Sequence, residues 1–297
     1  MMRSWKFYVK LYFSMLLLLV AIKYVLSRIE FKQPQNDIPV EVQADSVATI
    51  FTEQPDPLRC QGAIRNLKMS RYASNIQYQI CDSIFKLAQK RRLAKSDLPR
   101  FQNISQFYFH LYQNDTSALR EIQILLYKFA RQKKLEPFEL MQAIVNSIQM
   151  IPYTMVHMHS HEDMNDNSLM RNHHNYLQSR FGNKSWEFIG GCCEYVEPAA
   201  VFSPVEVAYH HMADCDSRTL FLFSILKKLQ FDVMIINSDV ELHSLLAVRV
   251  PGMNFFGDAI FTDPHTLLKY YIWETTTFED PGIYPMFAPA DWYIALK

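Results

Sequence analysis

Glycine is scarce in this chain, with 7 residues among 297, and neither GxxxxGK(S/T) nor GxGxxG occurs. The backbone loops that cradle nucleotide phosphates are therefore not expected. An excess of one charge is also missing. Lys and Arg total 30 and Asp and Glu total 30, which leaves no electrostatic reason to expect a nucleic-acid partner. No cysteine pair stands at zinc-site spacing with histidines, no internal repeat is visible, and no cofactor is expected. What the chain does have is apolar material: 49% hydrophobic and 14% aromatic residues, too rich for disorder. Its length suits one good-sized globular domain with appendages.

The start, MMRSWKFYVKLYFSMLLLLVAIKYVLSRIE, reads as a membrane signal. Arg3, Lys6 and Lys10 precede an apolar run from Leu11 to Ile22, which Tyr24 to Leu26 extend if Lys23 snorkels to the interface. Trp5, Phe7, Tyr8 and Tyr12 suit an interfacial belt. No small-x-small cleavage site follows, which favours an uncleaved signal anchor over 1–28 rather than a cleaved signal peptide or a buried apolar helix. The positive flank would stay in the cytoplasm, placing the globular part on the non-cytoplasmic side of the membrane. Residues 29–56, polar and punctuated by proline, read as a linker.

An exported domain with 5 cysteines has at least one without a partner. Cys60 and Cys81 can form a disulfide, whereas the adjacent Cys192 and Cys193 cannot easily bond each other; the connectivity itself is not fixed by sequence. From 57 to 135 the apolar spacing predicts helices, in YASNIQYQICDSIFKLAQKRR and again in DTSALREIQILLYKFARQKK, with Asp115 or Thr116 as a cap. EPFELMQAIVNSIQMI predicts another, opened by Pro137 and stopped before Pro152. The histidine-rich stretch holding His157, His159, His161, His173 and His174 reads as a long solvated surface loop in preference to a metal site.

Beyond residue 200 the pattern becomes one helix, from about Asp216 to Leu229, followed by strand-like runs: FDVMIIN, ELHSLLAVRV, AIFTD and KYYIWETTT. Helix then antiparallel sheet is an α+β arrangement. At the helix tip stands Cys215, preceded by Asp214 as N-cap candidate, with one apolar face expected to anchor the helix. A helix N-terminus lowers a thiol pKa and offers free amides to an oxyanion. A nucleophilic cysteine also needs a base and a group that orients the base. His243 and Glu274, each placed among apolar neighbours on a predicted strand, can supply them.

The ordered blocks SPVEVAYHHMADCDSRTLFLFSILKKLQFDVMII (203–236), HSLLAV (243–248), YYIWETT (270–276) and PGIYP (281–285) resemble the transglutaminase-like cysteine peptidase superfamily. Its members open a core helix with G-D-C-(D/E)-(D/S)-(R/K) and follow it with a histidine strand and a carboxylate strand. Upstream, IVNSIQMIPY is similar to that family's V-Q-x-I-P-Y. The resemblance spans Met141 to Pro285. It implies a papain-like core over 136–297, in which a nucleophile helix packs on an antiparallel sheet, preceded by the helical region and the anchor. It also implies a thiol hydrolase or acyltransferase acting on peptide or glutamine-type amides: Cys215 as nucleophile, His243 as general base and acid, Glu274 fixing the imidazole, Gln149 near the oxyanion and Glu206 structural. The same fold without chemistry, a membrane-tethered binding scaffold, is the alternative. Two departures from the family pattern stand out. Ala213 replaces the usual Gly, and the third member is Glu274 where many relatives carry Asp in D-P-T; Asp263 in FTDPH and Asp258 are its rivals.

Overall fold

The computed structural model describes residues 60–93, 100–157, 194–196, 200–252 and 257–297. The expected anchor and linker, Cys192 and Cys193, and His159, His161, His173 and His174 lie outside those residues. No helix among the described residues is long and apolar enough to cross a membrane.

The described part opens with a hairpin, β1 (Gly62–Met69) and β2 (Ser74–Cys81), paired antiparallel around a 3-10 turn at Ser70–Tyr72. Here the helical expectation for 57–135 fails. Ile76, Tyr78 and Ile80 are buried at alternate positions, the two-residue period of a strand rather than the three- and four-residue steps of a helix. Cys60 and Cys81 do form a disulfide, their Cα atoms 5.2 Å apart, which ties the two ends of the hairpin.

Helices follow as expected: α1 (Asp82–Leu93), α2 (Arg100–Asp115), α3 (Arg120–Lys133) and α4 (Pro137–Gln149). α3 starts later than predicted, with Leu119 at its N-cap. Asp115 instead ends α2, buried, where its carboxylate accepts the Val205 N–H at 3.1 Å. α4 begins at Pro137 as expected, and the Glu136 N–H donates to Glu139 Oε2 at 2.9 Å, satisfying a donor that the helix start would otherwise leave open. Two three-residue strands, β3 (Met155–His157) and β4 (Glu194–Val196), then pair in parallel.

α5 (Pro204–His210) is opened by a reciprocal cap. Ser203 N–H donates to Glu206 Oε2 at 2.8 Å while the Ser203 hydroxyl accepts the Glu206 N–H at 3.4 Å. Arg92 of α1 meets the same carboxylate with two bonds of 2.7 and 2.9 Å, both side chains fully buried. A buried charge needs such a partner, and this pair gives Glu206 a structural task.

α6 (Cys215–Lys228) is buried over most of its length. One apolar face was expected; instead every residue from Cys215 to Leu226 is buried. The helix packs against the sheet on one side and against α2, α4 and α5 on others, so it has no solvent face to keep polar. The sheet holds β5 (Asp232–Ser238), β6 (His243–Arg249), β7 (Ile260–Thr262), β8 (Lys269–Trp273) and β9 (Tyr293–Leu296) in the antiparallel order β7-β8-β6-β5-β9. Alternation splits its side chains. Val233, Ile235, Leu246, Val248 and Trp273 join the core that contains α6 and reaches back to Leu67 of the hairpin. Met234, Ile236, Leu245, Ala247 and Ile272 form a second cluster, under Tyr284 and Trp292. The fold is α+β, and residues 58–297 make one compact unit.

Candidate active site

Cys215 is the first residue of α6, and the Asp214 carboxylate caps the helix by accepting the Ser217 N–H at 2.9 Å. That cap fixes the first turn, and helix geometry leaves the Cys215 amide with no acceptor inside the helix. Cys215 is in no disulfide and is 5% exposed.

His243 opens β6, opposite Ser238, at the end of the sheet next to this helix tip. Its Nε2 is 2.9 Å from Glu274 Oε2, and its ring packs beside Tyr284 and Trp292, with centroids 6.3 and 6.4 Å away. The imidazole and the Cys215 thiol lie close enough that each shifts the other's pKa. Glu274 takes up Nε2, so the ring's other nitrogen, Nδ1, is not the one that meets the carboxylate. Glu274 follows β8, and its second oxygen accepts from Thr275 N–H (2.8 Å), Thr276 N–H (2.7 Å) and the Thr276 hydroxyl (2.6 Å). The two rivals fall away on geometry. Asp263 is occupied by Lys297, Thr266 and the His265 N–H, and Asp258 is exposed.

The electrostatics of the group are those of buried charges in contact. Burial opposes the imidazolium of His243, but Glu274 and Cys215 outweigh it and raise the ring's pKa well above the usual histidine value. Burial likewise opposes the Glu274 carboxylate, yet His243 and the Thr276 bonds hold its pKa down. The thiol differs from the sequence expectation of a lowered pKa. Burial first and the Asp216 charge second push Cys215 up, and His243 only partly offsets them. The thiol is thus biased toward its protonated form.

Asp216, next to Cys215, anchors a buried polar network. Its Oδ1 accepts from the Tyr108 hydroxyl of α2 at 2.9 Å and from the Ser244 hydroxyl; Asn237 bonds both Ser244 and Tyr108. Asp216→Asn keeps an oxygen for Tyr108 and Ser244 while removing the charge. The expected result is an alkylation profile of Cys215 whose midpoint moves to lower pH; a midpoint that stays put or rises would show that Asp216 does not tune the thiol.

Gln149 does not serve as predicted. Its Nε2 donates both hydrogens to main-chain carbonyls, Glu274 O at 2.7 Å and Glu279 O at 3.0 Å. What remains is an acceptor oxygen, which repels an oxyanion. Gln149 instead holds the loop that carries Glu274. Arg218 does similar work across the site: fully buried, it donates to Ala213 O (3.0 Å), Thr275 O (3.1 Å) and Ile151 O (2.7 Å), joining the loops before Cys215 and after Glu274.

Of the three residues expected together, the structure puts His243 and Glu274 in contact, and Arg218, Tyr108, Ser244 and Asn237, which bond around them, were passed over. Arg218 and Ser244 stand within the quoted motifs, and a polar residue set in an apolar run was the available signal. Tyr108 had no local signal, since it lies 108 positions before its partner. Among the described residues no group of three or more His, Cys, Asp or Glu is arranged to hold a metal ion. Compared with models of known families, with curated proteins and with solved structures, the chain matches none.

Proposed function

We propose that this chain is a thiol hydrolase or acyltransferase similar to the transglutaminase-like cysteine peptidases, held at a membrane by residues 1–28 and acting on peptide or glutamine-type amides. One observation carries the reading: a thiol at a helix tip interacts with an imidazole whose far nitrogen is fixed by a buried, fully hydrogen-bonded carboxylate. The chemistry follows from the placement. His243 takes the Cys215 proton, and the sulfur attacks the amide carbonyl. The protonated ring then gives its proton to the departing amine nitrogen as the C–N bond breaks. Water or a second amine attacks the thioester, its proton returning through His243 to the sulfur.

Burial of Cys215 and its raised pKa favour a second reading, a catalytically silent module that keeps the fold and binds a partner. The rate of iodoacetamide alkylation against pH separates the two, using the full chain in detergent micelles with Cys215→Ser as blank. In the enzyme, Glu274→Gln removes the negative charge that stabilises the imidazolium. His243 then loses its proton at lower pH, the thiolate loses its counter-charge, and the profile moves to higher pH, with alkylation near neutrality down by about tenfold for each unit moved. Superimposable profiles of wild type and Glu274→Gln would rule for the silent module.

A further inference from the structure

Cys215, His243 and Glu274 are each followed in the chain by a polar residue, and these three followers are bonded to one another. Asp216 accepts from the Ser244 hydroxyl, which links the residue after Cys215 to the residue after His243. Thr275, the residue after Glu274, reaches the same strand through Thr219 of α6. A threonine inside a helix commonly returns its hydroxyl to the carbonyl one turn back. Thr219 instead donates across the interface to Ser244 O at 3.3 Å, which leaves its oxygen to accept the Thr275 hydroxyl at 3.1 Å. Thr219, Ser244 and Thr275 are all fully buried. Helix periodicity puts Thr219 one turn from Cys215 on the same face of α6.

We propose that Thr219 is a positioning residue: by joining Ser244 O to the Thr275 hydroxyl, it sets the strand that presents His243 against the loop that presents Glu274, both from the helix that presents Cys215. The assignment rests on the acyl-transfer reading above. Thr275 passes the constraint on, because its own N–H donates to Glu274 Oε1 at 2.8 Å while Arg218 holds its carbonyl at 3.1 Å. Where Thr275 sits therefore decides where the carboxylate sits, and the 2.9 Å contact between Glu274 Oε2 and His243 Nε2 depends on it. Bonds between buried groups hold more firmly than the same bonds in water, so one hydroxyl suffices to couple the two segments. Thr219 acts through the neighbours of the three residues, by alignment.

The test uses p-nitrophenyl acetate on the full chain in detergent micelles. The Cys215 sulfur bonds to the acetyl carbon, its proton goes to His243, and the ester C–O bond breaks to release p-nitrophenolate as a burst. Thr219→Val keeps the branched shape and removes the hydroxyl, and is expected to slow the burst by about 10–100-fold. Thr219→Ser keeps the hydroxyl and should stay within about threefold of wild type. Thr275→Val cuts the same link from the loop and should reproduce the fall, which carries the test if Thr219→Val does not fold. Once Glu274→Gln has removed the charged pairing that the link aligns, adding Thr219→Val or Thr275→Val should cost less than about threefold more. The full fall in that background as well would make Thr219 a support of the fold alone, and an unchanged burst in the single variants would leave the link no part in alignment; either overturns the assignment while the acyl-transfer reading stands. A wild-type chain that gives no burst overturns that reading and the assignment with it.

Discussion

His243→Gln is expected to slow acylation of Cys215 by p-nitrophenyl acetate by about 10³-fold at pH 8. Glutamine can still donate to Glu274, so the buried carboxylate keeps a partner and the fold is spared an unpaired charge. What it cannot do is accept the thiol proton. The thiol is held in its neutral form by burial and by Asp216, and His243 is the group that works against them. Without the ring, attack must wait for the small fraction of thiolate that forms unaided. The pH dependence changes with it. Glu274 and Cys215 raise the His243 pKa, so in the wild type the free base appears above the ordinary histidine range and the rate should climb there. In His243→Gln that limb should vanish, leaving a rise that follows the thiol alone. Stopped-flow release of p-nitrophenolate against pH measures both effects. A loss smaller than tenfold, with the limb intact, would take His243 out of the mechanism.

Arg218→Met is the substitution with the largest expected effect on stability. The guanidinium serves three main-chain carbonyls, at Ile151, Ala213 and Thr275, and is itself fully buried. Burial, opposed by Tyr153, Glu274 and Asp214 among others, brings its pKa down to about 10, so it remains charged at neutral pH. Methionine fills much of the space but donates nothing, leaving three buried acceptors without their Arg218 bonds. At about 1–3 kcal/mol for each lost partner, and less than additively, the loss should reach about 3–5 kcal/mol. For a unit of this size that lowers the melting temperature by roughly 10 °C. Arg218→Lys should recover only part of it, since one ammonium cannot reproduce the planar fork that spans the three oxygens. Thermal unfolding followed by circular dichroism gives the comparison; a drop of only a degree or two in Arg218→Met would mean that the surrounding loops hold without it. Because those loops carry both Cys215 and Glu274, loss of thiol reactivity should accompany the loss of stability.

Local chemistry was readable wherever a structure is decided within a few residues. Asp214 before Cys215 announced a helix start, Pro137 opened α4, and the β-branched and aromatic runs after residue 231 became β5 to β8 within a few residues of the expected bounds. The same local reading misjudged β2, where Ile76, Tyr78 and Ile80 alternate yet stand in a longer stretch that also satisfies helical spacing. Short apolar segments are ambiguous in this way, and pairing with β1 settles what the segment cannot. β9 was missed because YIAL is four residues long and acquires its strand only by joining the edge at β5.

By itself, then, the sequence determined the helix with a cysteine at its tip, the strands that follow, the Cys60 and Cys81 candidates and the order in which thiol, imidazole and carboxylate occur. Only the tertiary structure decided that Glu274, not Asp258 or Asp263, meets His243; that Gln149 braces a loop with both its amide hydrogens; and that Tyr108, from a region outside the resemblance, bonds the residue beside Cys215. The physical reason is range. Caps, turns and strand preference act between neighbours along the chain, whereas a buried carboxylate or amide takes whichever partner the packing brings within about 3 Å, and that partner can stand a hundred residues away.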